Sequence, residues 1–382
     1  MADYTKVSDV AAADIAKVNN VAKADIGKVN ECTVPSSGST LWCLAAADGG
    51  IATAATADLN DWTGYVSADM GSSDYLCIAY GLNDSGNPLW VVGNLNGNRE
   101  IRYATDPTAG VDAWTDVNIG HQIRGLAYAG QDGSDYVWVG VGQSGRMYRS
   151  TDGAESWAEV DISGLAGKTS LQIDEIVTDG AGNMLFGQDT RIYVSTDHGE
   201  TWAQAIDLAD SPHSLDAGFN IHSCAYTNSK WLVFMRKSGQ TRVYYAAAGA
   251  TGTWTASTVD GSAASGTNLC NAAARRMGAA NGTAIIVIGP HSSRSTNSGV
   301  DWTYTEDTFD YGDARDVYGD GNGNWVVVQD SGRLAISTDN GANWAEQTGV
   351  QDGSSATNLR FPTGGSNVED LDAIAANVIL PV

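Results

Sequence analysis

The sequence predicts an all-β fold, a seven-bladed β-propeller of four-stranded blades with its C-terminal strand closing the first blade and a short repeat arm at the N-terminus. Three observations predict it. A turn motif ending in tryptophan recurs seven times, at a mean period of about 47 residues. Each period divides into four short apolar segments joined by Gly, Asp, Asn and Ser. Charged residues are only 17 % of the chain, Gly is abundant at 45 and Pro scarce at 7, a composition of short strands and tight turns rather than long surface helices.

The bulk properties bound the rest. The chain has 382 residues, 42 % of them hydrophobic, enough for a large core and too many for global disorder. No apolar run is long enough to span a membrane as a helix, and no basic stretch followed by an apolar block opens the sequence, so neither a membrane partner nor a cleaved leader is expected. Acids outnumber bases 45 to 21, a net charge of −24 that would repel a phosphate backbone, so no nucleic-acid partner is expected. The cysteines Cys32, Cys43, Cys77, Cys224 and Cys270 are widely spaced and odd in number, which predicts buried small side chains rather than disulfides or a zinc site.

Taken in chain order, residues 1–34 stand apart from the propeller at 35–382. They carry an eleven-residue repeat: Asp3-Tyr-Thr-Lys-Val-Ser, Asp14-Ile-Ala-Lys-Val-Asn and Asp25-Ile-Gly-Lys-Val-Asn. Helical spacing would place Ile15, Val18, Val21, Ile26 and Val29 on one stripe, while Asn19, Asn20, Gly27 and Asn30 weaken a helix and make short strands alternating with turns an equal alternative. In either form three such repeats cannot bury their apolar side chains alone, so the segment is expected to be a docking arm.

The first blade supplies only three segments, Thr40–Ala47, Gly50–Ala55 and Trp62–Val66. The missing innermost strand is expected from the C-terminus, where Asp372-Ala-Ile-Ala-Ala-Asn377 parallels Arg124-Gly-Leu-Ala-Tyr-Ala129. The third period shows the full pattern: Ile123–Ala129, Tyr136–Val141, Arg146–Ser150 and Trp157–Val160. A second row of tryptophans, Trp42, Trp90, Trp138, Trp231 and Trp325, runs ahead of the motif tryptophans.

The motif is S-T-[D/N]-x-[G/A]-x-x-W. Its clear copies are Ser150, Asp152 and Trp157; Ser195, Asp197, Gly199 and Trp202; Ser295, Asn297, Gly299 and Trp302; and Ser337, Asp339, Gly341 and Trp344. Degenerate copies end at Trp62, Trp114 and Trp254. Asp197 is expected to accept from turn amides, Gly199 to supply a positive φ, and Trp202 to fold back between sheets. The motif resembles the Asp box, or BNR repeat, which in that family sits on the hairpin before the outermost strand and is a folding device rather than a catalytic site. The resemblance covers residues from about 40 to the end.

Aligning the blades places Arg124, Asp174, His222, Arg275, Arg315 and Asp372 at one position, the start of the innermost strands, with Leu76 as the seventh. A propeller would gather them at one mouth of its channel. They read either as a funnel for an anion or glycan or as mutually paired charges, Arg124 with Asp174 and Arg315 with Asp372, and the alternation of sign favours pairing. Asp-box propellers include sialidases, whose Phe/Tyr-Arg-Ile-Pro signature is absent here. The five histidines show no metal-ligand spacing, and no nucleophile elbow or phosphate-binding loop occurs. No catalytic residue, cofactor or metal is therefore assigned.

The tandem Asp-Ile-x-Lys-Val-Asn repeats resemble those of structural proteins of tailed bacteriophages. That resemblance implies a non-enzymatic virion protein, present in multiple copies and attached to other virion proteins through the arm, with a host-surface glycan as a further candidate partner. Two alternatives come from other propellers: a sialidase-like glycan-binding or glycan-hydrolysing protein, and an assembly factor. The photosystem assembly factors share this propeller and carry an arginine patch for a protein partner.

Overall fold

A computed structural model of the chain describes residues 17–18, 21–22, 40–46, 50–56, 59, 61–65, 75–94, 101–215, 218–237, 240–247, 253–259, 262–263, 276–288, 291–305, 314–329, 332–347 and 371–378. The chain divides into two units, Met1–Ser39 and Thr40–Val382. In the first, Lys17–Val18 pairs antiparallel with Val21–Ala22, so the described part of the arm is a strand hairpin. Ile15, Ile26 and Val29 lie outside the described residues, as does the side chain of Val18.

The second unit is a ring of seven antiparallel sheets. Blade two is typical, running outward through Tyr75–Leu82, Pro88–Asn94, Ile101–Ala104 and Thr115–Val117. The innermost strands of blades three to seven are Ile123–Asp132, Ile176–Thr178, Asn220–Thr227, Arg276–Ala280 and Ala314–Gly319. Blade one takes its innermost strand, Leu371–Ala376, from the C-terminus. It pairs with Leu41–Ala46 in antiparallel register, Trp42 opposite Ala376 and Leu44 opposite Ile374. Leu41 N–H donates to Asn377 Oδ1 at 2.8 Å, and Asn377 N–H donates back to the Leu41 carbonyl at 2.8 Å. The ring is thus closed by hydrogen bonds between its two ends, as the sequence predicts.

Packing follows the ring. Described buried apolar residues fall into seven clusters, and each fills one blade interface. The seam between blades seven and one is a full member: Trp42, Leu44 and Ile374 meet Val326, Val328 and Leu334 there. The second tryptophan row lies on second strands and leans on tyrosines of innermost strands. Trp90 meets Tyr80 at 5.0 Å, Trp138 meets Tyr128 at 5.3 Å and Trp231 meets Tyr226 at 4.6 Å between ring centroids. Trp42 reaches across the closing seam to Tyr318.

Blade six departs from the four-stranded pattern. Thr258–Val259 and Ser262–Ala263 form a hairpin that adds to its outer edge, with Thr258 parallel to Asp301 and Val259 parallel to Trp302. An outer edge strand presents unpaired amides, and the long connection from blade five covers them. Cys43, Cys77 and Cys224 are buried free thiols.

Candidate functional site

The four clear turn motifs share one geometry. In the blade-four copy Ser195 is buried; its Oγ accepts from Gly199 N–H at 2.9 Å and donates to Asp197 Oδ1 at 2.7 Å. Asp197 Oδ1 also accepts from Thr201 N–H at 2.9 Å, and Trp202 Nε1 donates to the Gly199 carbonyl at 3.1 Å. Ser150, Ser295 and Ser337 repeat the serine contact with Ala154, Gly299 and Gly341. Asp152, Asn297 and Asp339 each accept from the backbone four residues on, as Asp197 does. Two successive residues take positive φ in every copy: Gly153 with Ala154, His198 with Gly199, Ser298 with Gly299, and Asn340 with Gly341. Trp302 is buried, whereas Trp157, Trp202 and Trp344 are half-buried. The Ser hydroxyl and the Asp or Asn side chain of each copy serve the turn, which leaves the channel as the candidate site.

There the strand ladders share a defect. In five blades the innermost strand slips by one residue at the same level: between Tyr75 and Cys77, Ile123 and Gly125, Ile221 and Ser223, Ala314 and Asp316, and Leu371 and Ala373. The skipped residues are Leu76, Arg124, His222, Arg315 and Asp372. Each is the extra residue of a β-bulge, a device that takes a side chain out of the strand's alternation and re-aims it. Asp174 precedes the blade-four strand at the equivalent level. Arg275 lies outside the described residues, and so does the side chain of Asp372.

Around this mouth Arg124 Nη1 lies 3.7 Å from Asp174 Oδ1, with the two side chains 27 % and 30 % exposed. Gln172 Nε2 donates to the same carboxylate oxygen at 2.9 Å. His222 is half-buried; burial and nearby Arg236 hold its pKa below the ordinary histidine value, partly offset by Asp174. The histidine is therefore predominantly neutral at pH 7.

One residue further along each strand lies a second ring that the blade alignment misses: Cys77, Gly125, Glu175, Ser223, Arg276, Asp316 and Ala373. Its centre is Arg276, from blade six. The guanidinium Nη1 lies 3.2 Å from Glu175 Oε1 on blade four. Its Nη2 donates to the carbonyl of Arg124 on blade three at 2.9 Å and to that of Leu76 on blade two at 3.4 Å. In a seven-membered ring, blades two and three stand opposite blade six. The Arg276 side chain therefore bars the channel from wall to wall.

Neighbouring blades are tied at the same level. Glu175 Oε2 accepts from Cys224 N–H at 2.9 Å, Ser223 Oγ from Met277 N–H at 2.8 Å, and Asp316 Oδ2 from Ile374 N–H at 3.1 Å. Gly125 allows blades three and four to meet, since a Cβ there would lie 2.9 Å from Glu175 Cα. Burial pushes the carboxyl of Asp316 up to about 7 and raises that of Glu175, with Arg276 opposing both shifts. Burial works against the charge on Arg276, but Glu175 and Asp316 outweigh it and hold the guanidinium firmly charged. The clue to this ring in the sequence is three charged residues, Glu175, Arg276 and Asp316, at a position otherwise held by small ones.

On the far side of the bar lies a cavity of about 260 Å³, lined by Tyr80, Tyr128, Tyr226 and Tyr318, with Glu175, Arg276 and Asp316 at its inner end. None of the bulged residues lines it. Among the described residues no group of three His, Cys, Asp or Glu side chains could hold a metal ion.

No family model matches the chain, and no curated protein does. Solved structures do. YCF48 bound to a D1 peptide is 14 % identical over 80 % of this chain and 92 % of that one, with a TM-score of 0.51. YCF48 from Cyanidioschyzon merolae is 14 % identical over 72 % and 85 %, with a TM-score of 0.52. An ancestral GH74 enzyme is 11 % identical over 83 % and 55 %, with a TM-score of 0.47. The two YCF48 likenesses show a shared propeller fold.

Proposed function

We propose that this chain is a partner-binding propeller whose bulged channel mouth takes a segment of a protein. The carrying observation is the repeated bulge, which brings an apolar residue, Leu76, to one level with Arg124, His222 and Arg315. Mixed apolar, cationic and hydrogen-bonding groups suit a polypeptide, which offers all three partners along its length. One fact weighs against the glycan-hydrolysing alternative: Arg276 is engaged with Glu175 and two carbonyls, so it does not stand ready to clamp a substrate carboxylate. A YCF48 propeller of the same fold holds a peptide, which supports the assembly-factor alternative. The test is selection of a peptide library on the immobilised full chain, with binders measured again on Arg124→Ala and His222→Ala. Binders that lose roughly tenfold or more in affinity support the mouth. Binders indifferent to both substitutions refute it, and hydrolysis of a sialoside or polysaccharide that is lost in Arg124→Ala would restore the enzyme.

A second reading rests on the N-terminal repeat: the propeller is a virion protein of a tailed phage, attached in multiple copies through residues 1–34. The six residues Tyr4, Val7, Ile15, Val18, Ile26 and Val29 would form an apolar strip if exposed. A chain lacking residues 1–34 should fold and fail to join particles. Incorporation at normal copy number would remove the arm as anchor.

A further inference from the structure

We propose that the blind cavity behind Arg276 binds an organic cation, an ammonium group on a small apolar body. The charges at its inner end do not balance: Glu175 and Asp316 are two carboxylates, and Arg276 is one guanidinium, committed to Glu175 at 3.2 Å. Asp316 accepts only backbone N–H groups, from Ile374 at 3.1 Å and Val317 at 2.9 Å. Among the described residues no cationic nitrogen lies within ion-pair distance of it.

Arg276 itself shows how this channel holds a cation. Its guanidinium is held by one carboxylate and by two carbonyls of innermost strands. Innermost strands pair on one side only, so carbonyls along the channel remain open to a further donor. An ammonium group at Asp316 would repeat that arrangement one blade further round.

The walls fit the body of such a ligand. Tyr80, Tyr128, Tyr226 and Tyr318 line the cavity, and aromatic rings attract ammonium groups as well as apolar surface. The volume of about 260 Å³ corresponds to roughly nine water-sized groups of about 30 Å³, room for one aromatic ring and a short amine tail but not for a folded peptide. This site lies on the opposite side of the bar from the bulged mouth and does not depend on what the mouth binds.

Protonation sharpens the case. Burial raises Asp316 to about 7, so it is largely protonated in mildly acidic solution and charged above neutrality. The ionisable groups around it are Arg276 on blade six, Glu175 on blade four, Cys77 on blade two and Tyr318 on its own strand. Arg276 favours the charged form and Glu175 opposes it. The Cys77 thiol, pushed up to about 12, and the Tyr318 phenol, pushed higher still, stay neutral across this range.

The test is calorimetric titration of the full chain with 2-phenylethylammonium, beside its neutral counterpart 2-phenylethanol and its anionic counterpart phenylacetate. The amine should bind saturably at about pH 8 and roughly tenfold or more weaker at about pH 5.5, where its own charge is unchanged. The alcohol and the carboxylate should bind at least roughly tenfold more weakly. Asp316→Asn should lose the amine by a similar factor, and Tyr226→Ser should weaken it. Added salt should weaken the binding less than it would at an exposed site, since partly buried charges are screened less. If Asp316→Asn fails to fold, the pH series on the unaltered chain decides. No saturable binding of the amine, equal binding of phenylacetate, or indifference to pH would each overturn the proposal.

Discussion

The guanidinium of Arg276 donates 2.9 Å to the backbone carbonyl of Arg124, from the sixth blade to the third. Two arginines that the sequence places 152 positions apart thus meet across the channel, one by its side chain and the other by its main chain. Because the same guanidinium pairs with Glu175, its removal would strand a half-buried carboxylate. Arg276→Met should therefore cost about 3–5 kcal/mol in urea unfolding. A loss under about 1 kcal/mol would show that the bar is not a structural tie.

Stability should peak in mildly acidic solution. Asp316 is raised to about 7 when folded, so the folded state holds a proton that the unfolded state releases near 4, and its contribution falls as pH rises from about 4 to 7. Asp339 is held down at about 2 by the side chain and N–H of Asn343, so its contribution is present above about 4 and lost as pH falls toward 2. Melting curves from about pH 3 to 8 should show a maximum at about pH 4–5, and Asp316→Asn should flatten the fall between 4 and 7. A melting temperature that rises steadily to pH 8 would contradict this.

The turn motif makes unequal demands on its fifth residue. At Gly299, φ is +78° and an added Cβ would lie 2.3 Å from Leu232 Cδ2. Gly299→Ala should destabilise by about 1–3 kcal/mol. Ala154 already occupies the same position at φ 71° and is buried. Ala154→Gly should change stability by less than about 1 kcal/mol, because strain relieved at positive φ offsets the lost methyl group. Equal effects at the two sites would show that the blade-two and blade-five surfaces impose the same constraint.

Closure can be tested by truncation. Deleting residues 368–382 removes the strand Leu371–Ala376 and strips Leu41–Ala46 of its inner partner. Aggregation or loss of a cooperative transition is expected. A truncated chain that melts like the parent would contradict closure through the C-terminus. Trp302→Ala, at a site only 1 % exposed, should cost about 3–5 kcal/mol, and the half-buried Trp202→Ala less.

Most of the ring was legible in the sequence because its information is local. Ser195, Asp197, Gly199 and Trp202 lie within eight consecutive residues, and turn chemistry fixes such a stretch wherever it occurs. The channel was less legible. Counting along the strands identified Arg124, Asp174 and His222, but bulges at Arg124 and His222 pass the inner position to the next residue. The guanidinium that bars the channel is therefore Arg276, and its partners Glu175 and Asp316 sit one place beyond the aligned set. The added hairpin on blade six was not legible, because Val259 pairs with Trp302 across 43 positions and no local pattern marks that ladder.

The bulged mouth is the proposed place where a partner lies. Photo-crosslinking addresses it directly, with p-benzoylphenylalanine placed at Leu76, on the bulge, or at Asp132, an exposed residue at the opposite end of an innermost strand. With the tightest peptide from the library bound, a crosslink is expected from position 76 and none from position 132. A crosslink from position 132 alone would contradict it.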